Sequence, residues 1–364
     1  MDLQILDKIM AGEPAFKLKQ AKEAIFKNLI DDWSQATNLP LALRQKLNQE
    51  CPLLINAEFF ESADKNSVRC LLTLKDGLKT ETILMRHGDG RNTICVSSQI
   101  GCPLGCVFCA TGDMGFKRNL DAMEIVEQVL LFARYLKKET DDSPFEKGGL
   151  RGILENKSSP TLLSQRGEEN RINNVVFMGM GEPFLNYENV LEAIKILNNK
   201  EGLSIGARHI SISTIGITEG IEKLSDEPLQ INLAISLHAP NDELRSRIVP
   251  ANKKYPIDKI FEAIKEYIKK TGRKLMIEYI MIQRLNDAPA QARELAKLIK
   301  KHKITLCFIN LISCNPTGIF KPSPRESIKA FKKILENNKI IVTQRYRFGQ
   351  EIKGACGQLT GKIQ

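Results

Sequence analysis

The chain has 364 residues, of which 42% are apolar and 26% charged, and its formal charge is +10. That length and apolar share support one large cored domain with a smaller one attached, and the basic excess favours a polyanionic partner over a cationic one. No run of about 18 apolar residues is present to span a membrane, and Met1-Asp2-Leu3-Gln4 lacks the basic and apolar segments of a signal peptide, so a soluble, cytoplasmic protein is expected.

Residues 1–75 read as a small domain of helical and α+β character. Residues 14–33 have helical spacing, and Asn38-Leu39-Pro40 marks the boundary before a second helix over 41–50. Two strands over 67–74 and 80–85 flank the turn Lys75-Asp76-Gly77, and 76–92 serve as linker and strand extension.

From 93 to 345 strand-like and helix-like runs alternate. The strands are expected over 93–97, 174–178, 209–214, 231–236, 275–282, 305–311 and 340–344. The helices are expected over 122–137, 187–199, 256–270, 289–301 and 327–337. Near-continuous apolar strands between amphipathic helices predict a parallel sheet, here a partial (β/α) TIM-type barrel. Active residues of such a barrel gather at the carboxyl ends of its strands. Residues 140–171 break the alternation, being rich in Ser, Gly, Pro and charge. They are too polar for a core and too long for an ordinary connection, and read as an exposed, mobile insertion without catalytic role; a lid is the competing reading. Residues 346–364 read as a flexible carboxyl-terminal segment.

Nine cysteines are present. Without a signal peptide, clustered cysteines bind metal or react more often than they crosslink. Cys51, Cys70, Cys307 and Cys314 lie in or near apolar stretches and read as packing residues. Cys102, Cys106 and Cys109 share the loop after the first barrel strand with spacing C-x3-C-x2-C. Three thiolates on a four-iron cluster leave one iron open for a substrate or cofactor, whereas a closed structural site wants a fourth ligand. Gly101 and Gly105 let the backbone wrap a bulky group, and Phe108 is placed to shield it. A zinc site completed by His87, His209, His238 or His302 is the competing reading, for which this spacing is poor. At the end of the second strand stands Gly179-Met180-Gly181-Glu182-Pro183, where a carboxylate suits an ammonium partner. Cys95 reads by itself as a buried strand residue.

A C-x3-C-x2-C loop after the first strand of a (β/α) barrel, followed one unit later by Gly-Glu-Pro, resembles the radical S-adenosylmethionine (SAM) superfamily. The finer resemblance is to the RlmN/Cfr family of radical SAM RNA adenine methyltransferases, and it covers nearly the whole chain outside the insertion. It is carried by Cys95-Val-Ser-Ser-Gln-Ile-Gly-Cys102, Cys109-Ala-Thr-Gly-Asp-Met-Gly-Phe-Lys-Arg-Asn-Leu120, Met178-Gly-Met-Gly-Glu-Pro183, Ser213-Thr214, Ser236-Leu-His-Ala-Pro240, Ile248-Val-Pro-Ala-Asn-Lys-Lys254 and Gly354-Ala-Cys-Gly-Gln-Leu359.

The resemblance implies a [4Fe-4S] cluster on Cys102, Cys106 and Cys109 that binds SAM. It implies SAM contacts from Gly181, Glu182, Ser213, Ser236, Leu237, His238 and Asn315, the last preferred to Asn310 because a proline follows it. It gives Cys356 and Cys95 the roles of a reactive pair. Cys356 takes a methyl group from one SAM, a second SAM yields the radical that activates it, and Cys95 closes a disulfide that frees the methylated base. Glu81 is the candidate proton acceptor, although its gap to Cys95 is one residue longer than the family pattern; a solvent-facing strand glutamate is the alternative. Implied partners are ribosomal RNA and tRNA and an electron donor such as flavodoxin or ferredoxin, with the chain a monomer and the amino-terminal domain docking RNA. Lys117, Arg118, Lys253, Lys254, Arg345, Arg347 and Lys353 flank the motifs and suit phosphate contacts. Methylation at C2 of adenine is the expected activity. The alternatives are C8 methylation of the Cfr type, a non-catalytic iron–sulfur RNA-binding protein, and an activase acting on protein glycine, which has no use for Cys95 and Cys356.

Overall fold

The computed structural model describes residues 1, 3–141, 171–315, 320–345, 348–349 and 351–361. Of the insertion expected over 140–171, residues 142–170 lie outside the described residues, as does Arg347. The amino end forms helices α1 (Leu3–Met10), α2 (Ala15–Phe26) and α3 (Leu41–Glu50). Strands β1 (Asn56–Glu61), β2 (Ser67–Thr73), β3 (Lys79–Arg86) and β4 (Asn92–Val96) follow. A small hairpin of β5 (Gln99–Gly101) and β6 (Phe116–Asn119) brackets the short helix α4 (Ala110–Asp113), and α5 (Ala122–Asp141) comes next. The alternating part then runs β7 (Ile172–Phe177), α6 (Tyr187–Asn198), β8 (Ile210–Thr214), α7 (Thr218–Asp226), β9 (Asn232–Ser236), α8 (Asp242–Ile248), α9 (Ile257–Thr271), β10 (Leu275–Met281), α10 (Pro289–Lys301), β11 (Cys307–Ser313), α11 (Arg325–Asn337) and β12 (Val342–Gln344).

Ten strands form one sheet in the order β1-β2-β3-β4-β7-β8-β9-β10-β11-β12. From β4 to β12 each neighbour is parallel, while β1, β2 and β3 pair antiparallel and join at β4. Among the described residues the sheet ends at β1 and β12, so this is the expected partial (β/α) barrel of α/β class with an antiparallel extension. Strands buried on both faces have to be apolar throughout, as Leu275–Met281 is but for Glu278. Helix starts are set by prolines: Pro40, Pro256 and Pro324 stand at caps and Pro289 opens α10. One apolar core runs from Leu6, Trp33 and Leu47 through Leu72 and Ile94 to Phe177 and Phe331. Each fully buried side chain of this size contributes about 1.5–3 kcal/mol. Cys51, Cys70 and Cys307 belong to that core, and Cys314 is buried against Ile280 and Ile282.

Several elements differ from expectation. The helix expected over 14–33 ends at Phe26, because Leu29 turns to φ 54° and a separate turn over Trp33–Gln35 is capped by Asp32. Strand β1, the hairpin β5–β6 and helices α7 and α8 carry patterns too short or too polar to stand out. A boundary at residue 75 passes through the β2–β3 hairpin, and the same sheet carries both of its strands on to β4.

Candidate active site at the carboxyl ends of the parallel strands

The cluster loop and the Gly-Glu-Pro turn are stitched together where β4 and β7 end. Gly179 N donates to Val96 O (3.0 Å), Ser98 N to Met180 O (2.9 Å), Met180 N to Ser97 Oγ (2.9 Å) and Glu182 N to Gln99 Oε1 (2.9 Å). Gly181 has φ 99°, and a Cβ there would lie 2.5 Å from Gln99 Cβ and 2.9 Å from Gln99 N, so the approach needs glycine. At the entry to the cysteine loop Gly101 has φ 73°, and a Cβ would lie 1.7 Å from Gly115 O, the carbonyl that accepts Cys102 N at 3.1 Å.

Cys106 is buried, and Cys102 and Cys109 are partly exposed. Burial pushes the Cys102 thiol up to about 12, with Glu182 and Cys109 adding to the rise. Burial raises Cys106 as well, and its two sister cysteines add to it. Packed thiols that repel each other's charge are a donor set that a multi-iron cation would take as thiolates. Among the described residues no three His, Cys, Asp or Glu side chains converge as ligands of one metal ion. Zinc requires that convergence, whereas the thiolates of a four-iron cluster each sit on a different iron. Three thiols in one loop are a donor set that fits such a cluster. Phe108 sets its edge on the His238 ring, centroids 5.0 Å apart.

Glu182 is buried, with its carboxylate accepting from Phe184 N (3.1 Å) and Ile215 N (2.9 Å). Burial outweighs those bonds and holds its carboxyl up near 7, the state of an acid lacking a cationic partner. On the next strands Ser213 and Ser236 lie 3.1 Å apart, and both reach Glu278 Oε2, at 2.5 Å and 3.2 Å. His238 has φ 63°, and its Nδ1 accepts from Ile280 N at 3.1 Å, which leaves the proton of the neutral ring on Nε2. Burial, with Arg245 second, lowers that imidazole to about 3. Leu237 is buried, and its N donates to Glu278 O at 3.1 Å.

The carboxyl-terminal segment, expected to be flexible, is docked where 351–361 are described. Ala110 N donates to Gly357 O (2.8 Å), Thr111 Oγ1 to Leu359 O (2.8 Å), and Asn315 Nδ2 to Cys356 O (2.9 Å). Cys356 is thereby laid against the cluster loop. A small cavity joins it to Cys95, with Met178, Ser313, Asn315 and Arg345 also in the wall. Cys95 is buried, and that burial pushes its thiol up to about 12 while Arg345 opposes the rise. Asn310, the rival of Asn315, instead accepts from Thr343 Oγ1 between β11 and β12.

Glu81 faces the protein and not solvent. Arg69 Nη1 donates to it at 2.8 Å, and Thr360 N of the docked segment at 3.3 Å. Burial raises its carboxyl, opposed first by Arg69. Cys95 pairs with Ile83, and a turn over 87–91 joins the two strands. Glu81, two residues before Ile83, therefore shares the sheet face of Cys95. It stands beside the thiol cavity and is not in its wall.

Three side chains of the site escaped sequence reasoning. Glu278 gave one signal, a lone carboxylate in an apolar strand. Arg245, in helix α8, gave none. It is buried and donates to Leu237 O (3.0 Å), Asn252 Oδ1 (2.7 Å), Tyr255 O (3.0 Å) and Ile215 O, tying the ends of β8 and β9 together. Arg345 was placed among phosphate contacts, yet it lines the thiol cavity. Arg118 is committed to Asp76 and Glu124 at 2.7 Å each, whereas Lys117, Lys253, Lys254 and Lys353 are exposed.

Comparison with known proteins bears on this geometry. A family model described as the radical SAM superfamily matches residues 162–296, a span that holds the Gly-Glu-Pro turn but not the cysteine loop. A protein of Dictyoglomus thermophilum named probable dual-specificity RNA methyltransferase RlmN is 43% identical over 96% of the chain and 91% of its own length. One of Nitrosopumilus maritimus named ribosomal RNA large subunit methyltransferase N is 40% identical over 97% and 94%. The crystal structure of a radical SAM methyltransferase from Sphaerobacter thermophilus superposes with TM-score 0.86 at 38% identity, covering 100% of this chain and 98% of that one.

Proposed function

The chain belongs to the RlmN family of radical SAM RNA methyltransferases, and from that premise we propose that it methylates C2 of adenosine in large-subunit ribosomal RNA and in tRNA through a carbon carried on Cys356. The observation that supports this most is the shared cavity of Cys95 and Cys356 beside the three-cysteine loop. A binding protein has no need of that pair.

When bound, the [4Fe-4S] cluster and SAM supply methyl groups, one electron and the power to abstract hydrogen. Cys102, Cys106 and Cys109 would hold the cluster. Glu182, with its raised carboxyl, would take the ammonium of SAM, and Ser213, Ser236, Leu237, His238 and Asn315 would line the rest of that site. C2 of adenine is electron-poor, so direct attack by the ring on a methyl sulfonium is unfavourable. Cys356 as thiolate accepts the methyl carbon first. After the carbon is joined to the base, Glu81 takes the ring proton. The Cys95 thiolate then attacks the Cys356 sulfur; the bond from that sulfur to the carbon breaks, its electron pair goes to the carbon, which takes a proton, and the methylated base leaves. One methyl is loaded and a second SAM is spent in activation, hence two SAM per turnover.

The stretch Phe116-Lys-Arg-Asn-Leu120 and the full amino-terminal part favour C2 over C8. Residues 1–75 are read as the RNA-docking part, and 346–364 as the segment that presents Cys356. A monomer reduced by a flavodoxin or ferredoxin completes the reading. No described helix is long and apolar enough to cross a membrane.

The test is anaerobic reconstitution with SAM, a reductant and RNA, followed by nucleoside mass spectrometry. We expect 2-methyladenosine and 5′-deoxyadenosine. Cys356→Ala and Cys95→Ala abolish turnover, and Cys95→Ala also accumulates a protein–RNA crosslink. Appearance of 8-methyladenosine, or normal turnover by either variant, overturns the proposal.

A further inference from the structure

We propose that Arg345 is a positioning residue for Cys95, its guanidinium compensating negative charge on that sulfur in the cavity it shares with Cys356. The residue follows β12, and its backbone N donates to Leu311 O at 2.9 Å, which pins it to the end of β11. Its side chain lines the cavity together with both cysteines. Nη1 lies 3.4 Å from Met178 Sδ and 3.6 Å from Glu278 Oε1. A thioether is a weak acceptor, and a carboxylate at that separation is an ion pair without a hydrogen bond. A planar fork of five N–H donors thus has spare capacity directed at the cavity. The cavity, about 40 Å³, has room for a few water molecules. The groups in its wall that can become anionic are the two sulfurs.

Glu278 balances the arrangement. Its Oε2 is taken by Ser213 and Ser236, and its buried Oε1 faces Arg345 and has no hydrogen-bond partner among the described residues. The charged and titratable groups that bear on Cys95 are Arg345, Cys356 and Glu278. Arg345 favours the ionised sulfur, and Glu278 disfavours it. In the step concerned the S–H bond breaks, the sulfur keeps the electron pair, and the proton leaves to buffer.

This inference rests on the thiol roles proposed above, but its test reads thiol ionisation and not methyl transfer, so the two fail separately. The full-length, cluster-loaded protein is treated anaerobically with iodoacetamide between pH 7 and 10, and alkylation of Cys95 is followed by peptide mass spectrometry. Only the thiolate reacts. Arg345→Met is expected to slow Cys95 alkylation at pH 8 about tenfold, the effect of one pKa unit. Arg345→Lys keeps most of the rate, and Glu278→Gln raises it. Loosened packing would instead speed alkylation in every variant. Faster or unchanged alkylation in Arg345→Met overturns the proposal. So does Glu278→Gln if it leaves the rate unchanged or lowers it, a result that stands even where Arg345→Met does not fold.

Discussion

Replacing Arg69 by Met leaves Glu81 as a buried carboxylate without a counter-ion. In the native protein the two side chains are 4% and 0% exposed and meet at 2.8 Å, and the guanidinium also stacks 4.5 Å above the Phe60 ring. Removing one partner of such a buried pair costs about 3–5 kcal/mol, because the remaining charge has lost its compensation and cannot regain water. The loss depends on pH in a defined direction. Burial already holds the Glu81 carboxyl above its ordinary value, and Arg69 is the first opposing influence. Without Arg69 that value rises further. A folded-state pKa above the unfolded one means that the native state binds more protons, so stability falls as pH rises through the folded value. Arg69→Met should therefore be most destabilised at pH 8 and recover part of the loss at pH 5.5. Arg69→Met/Glu81→Gln removes the buried charge altogether and should regain most of the stability at pH 8. Urea denaturation at the two pH values measures all three proteins. Equal losses in the single and double variants, or a loss in Arg69→Met that ignores pH, would refute charge compensation as the role of this pair.

Gly101→Ala should fold yet bind iron poorly, because the new Cβ drives into Gly115 O and breaks the bond that sets Cys102; iron and sulfide analysis after reconstitution checks this, and full iron content would contradict it. His238 is held near 3 by burial, against about 6.5 when unfolded. The unfolded state binds the extra proton, so between pH 6.5 and 5 the native state loses about 2 kcal/mol. His238→Asn, which tolerates positive φ, should show a shallower fall of Tm across that range, and an unchanged slope would exclude His238 as its source. Arg245→Lys replaces a buried fork by a single point donor and strands carbonyls at the ends of β8 and β9. It should cost about 2–4 kcal/mol and weaken SAM binding in calorimetry, and unchanged affinity would remove Arg245 from the support of that site.

The sequence by itself determined the parallel sheet and the cluster loop. Near-continuous apolar runs mark buried parallel strands, and each of the seven was legible in outline, although β12 is exposed at Thr343 and Gln344. C-x3-C-x2-C and Gly-Glu-Pro are local patterns whose chemistry is complete within a few residues. The hairpin β5–β6 was invisible because three or four residues carry no period, and the end of α2 was missed because a left-handed Leu29 has no composition signal.

Only the tertiary structure decided which side chains face one another. Ser213, Ser236 and Glu278 come from three strands and meet because the registers of β8, β9 and β10 align them. Arg345 looked like a surface cation until β12 carried it to Cys95 and Cys356. Glu81 looked misaligned with Cys95 until pairing of β3 with β4 put both on one face. Such neighbours are far apart along the chain. Their meeting depends on strand register and on where the last segment docks, and no local stretch of residues encodes either.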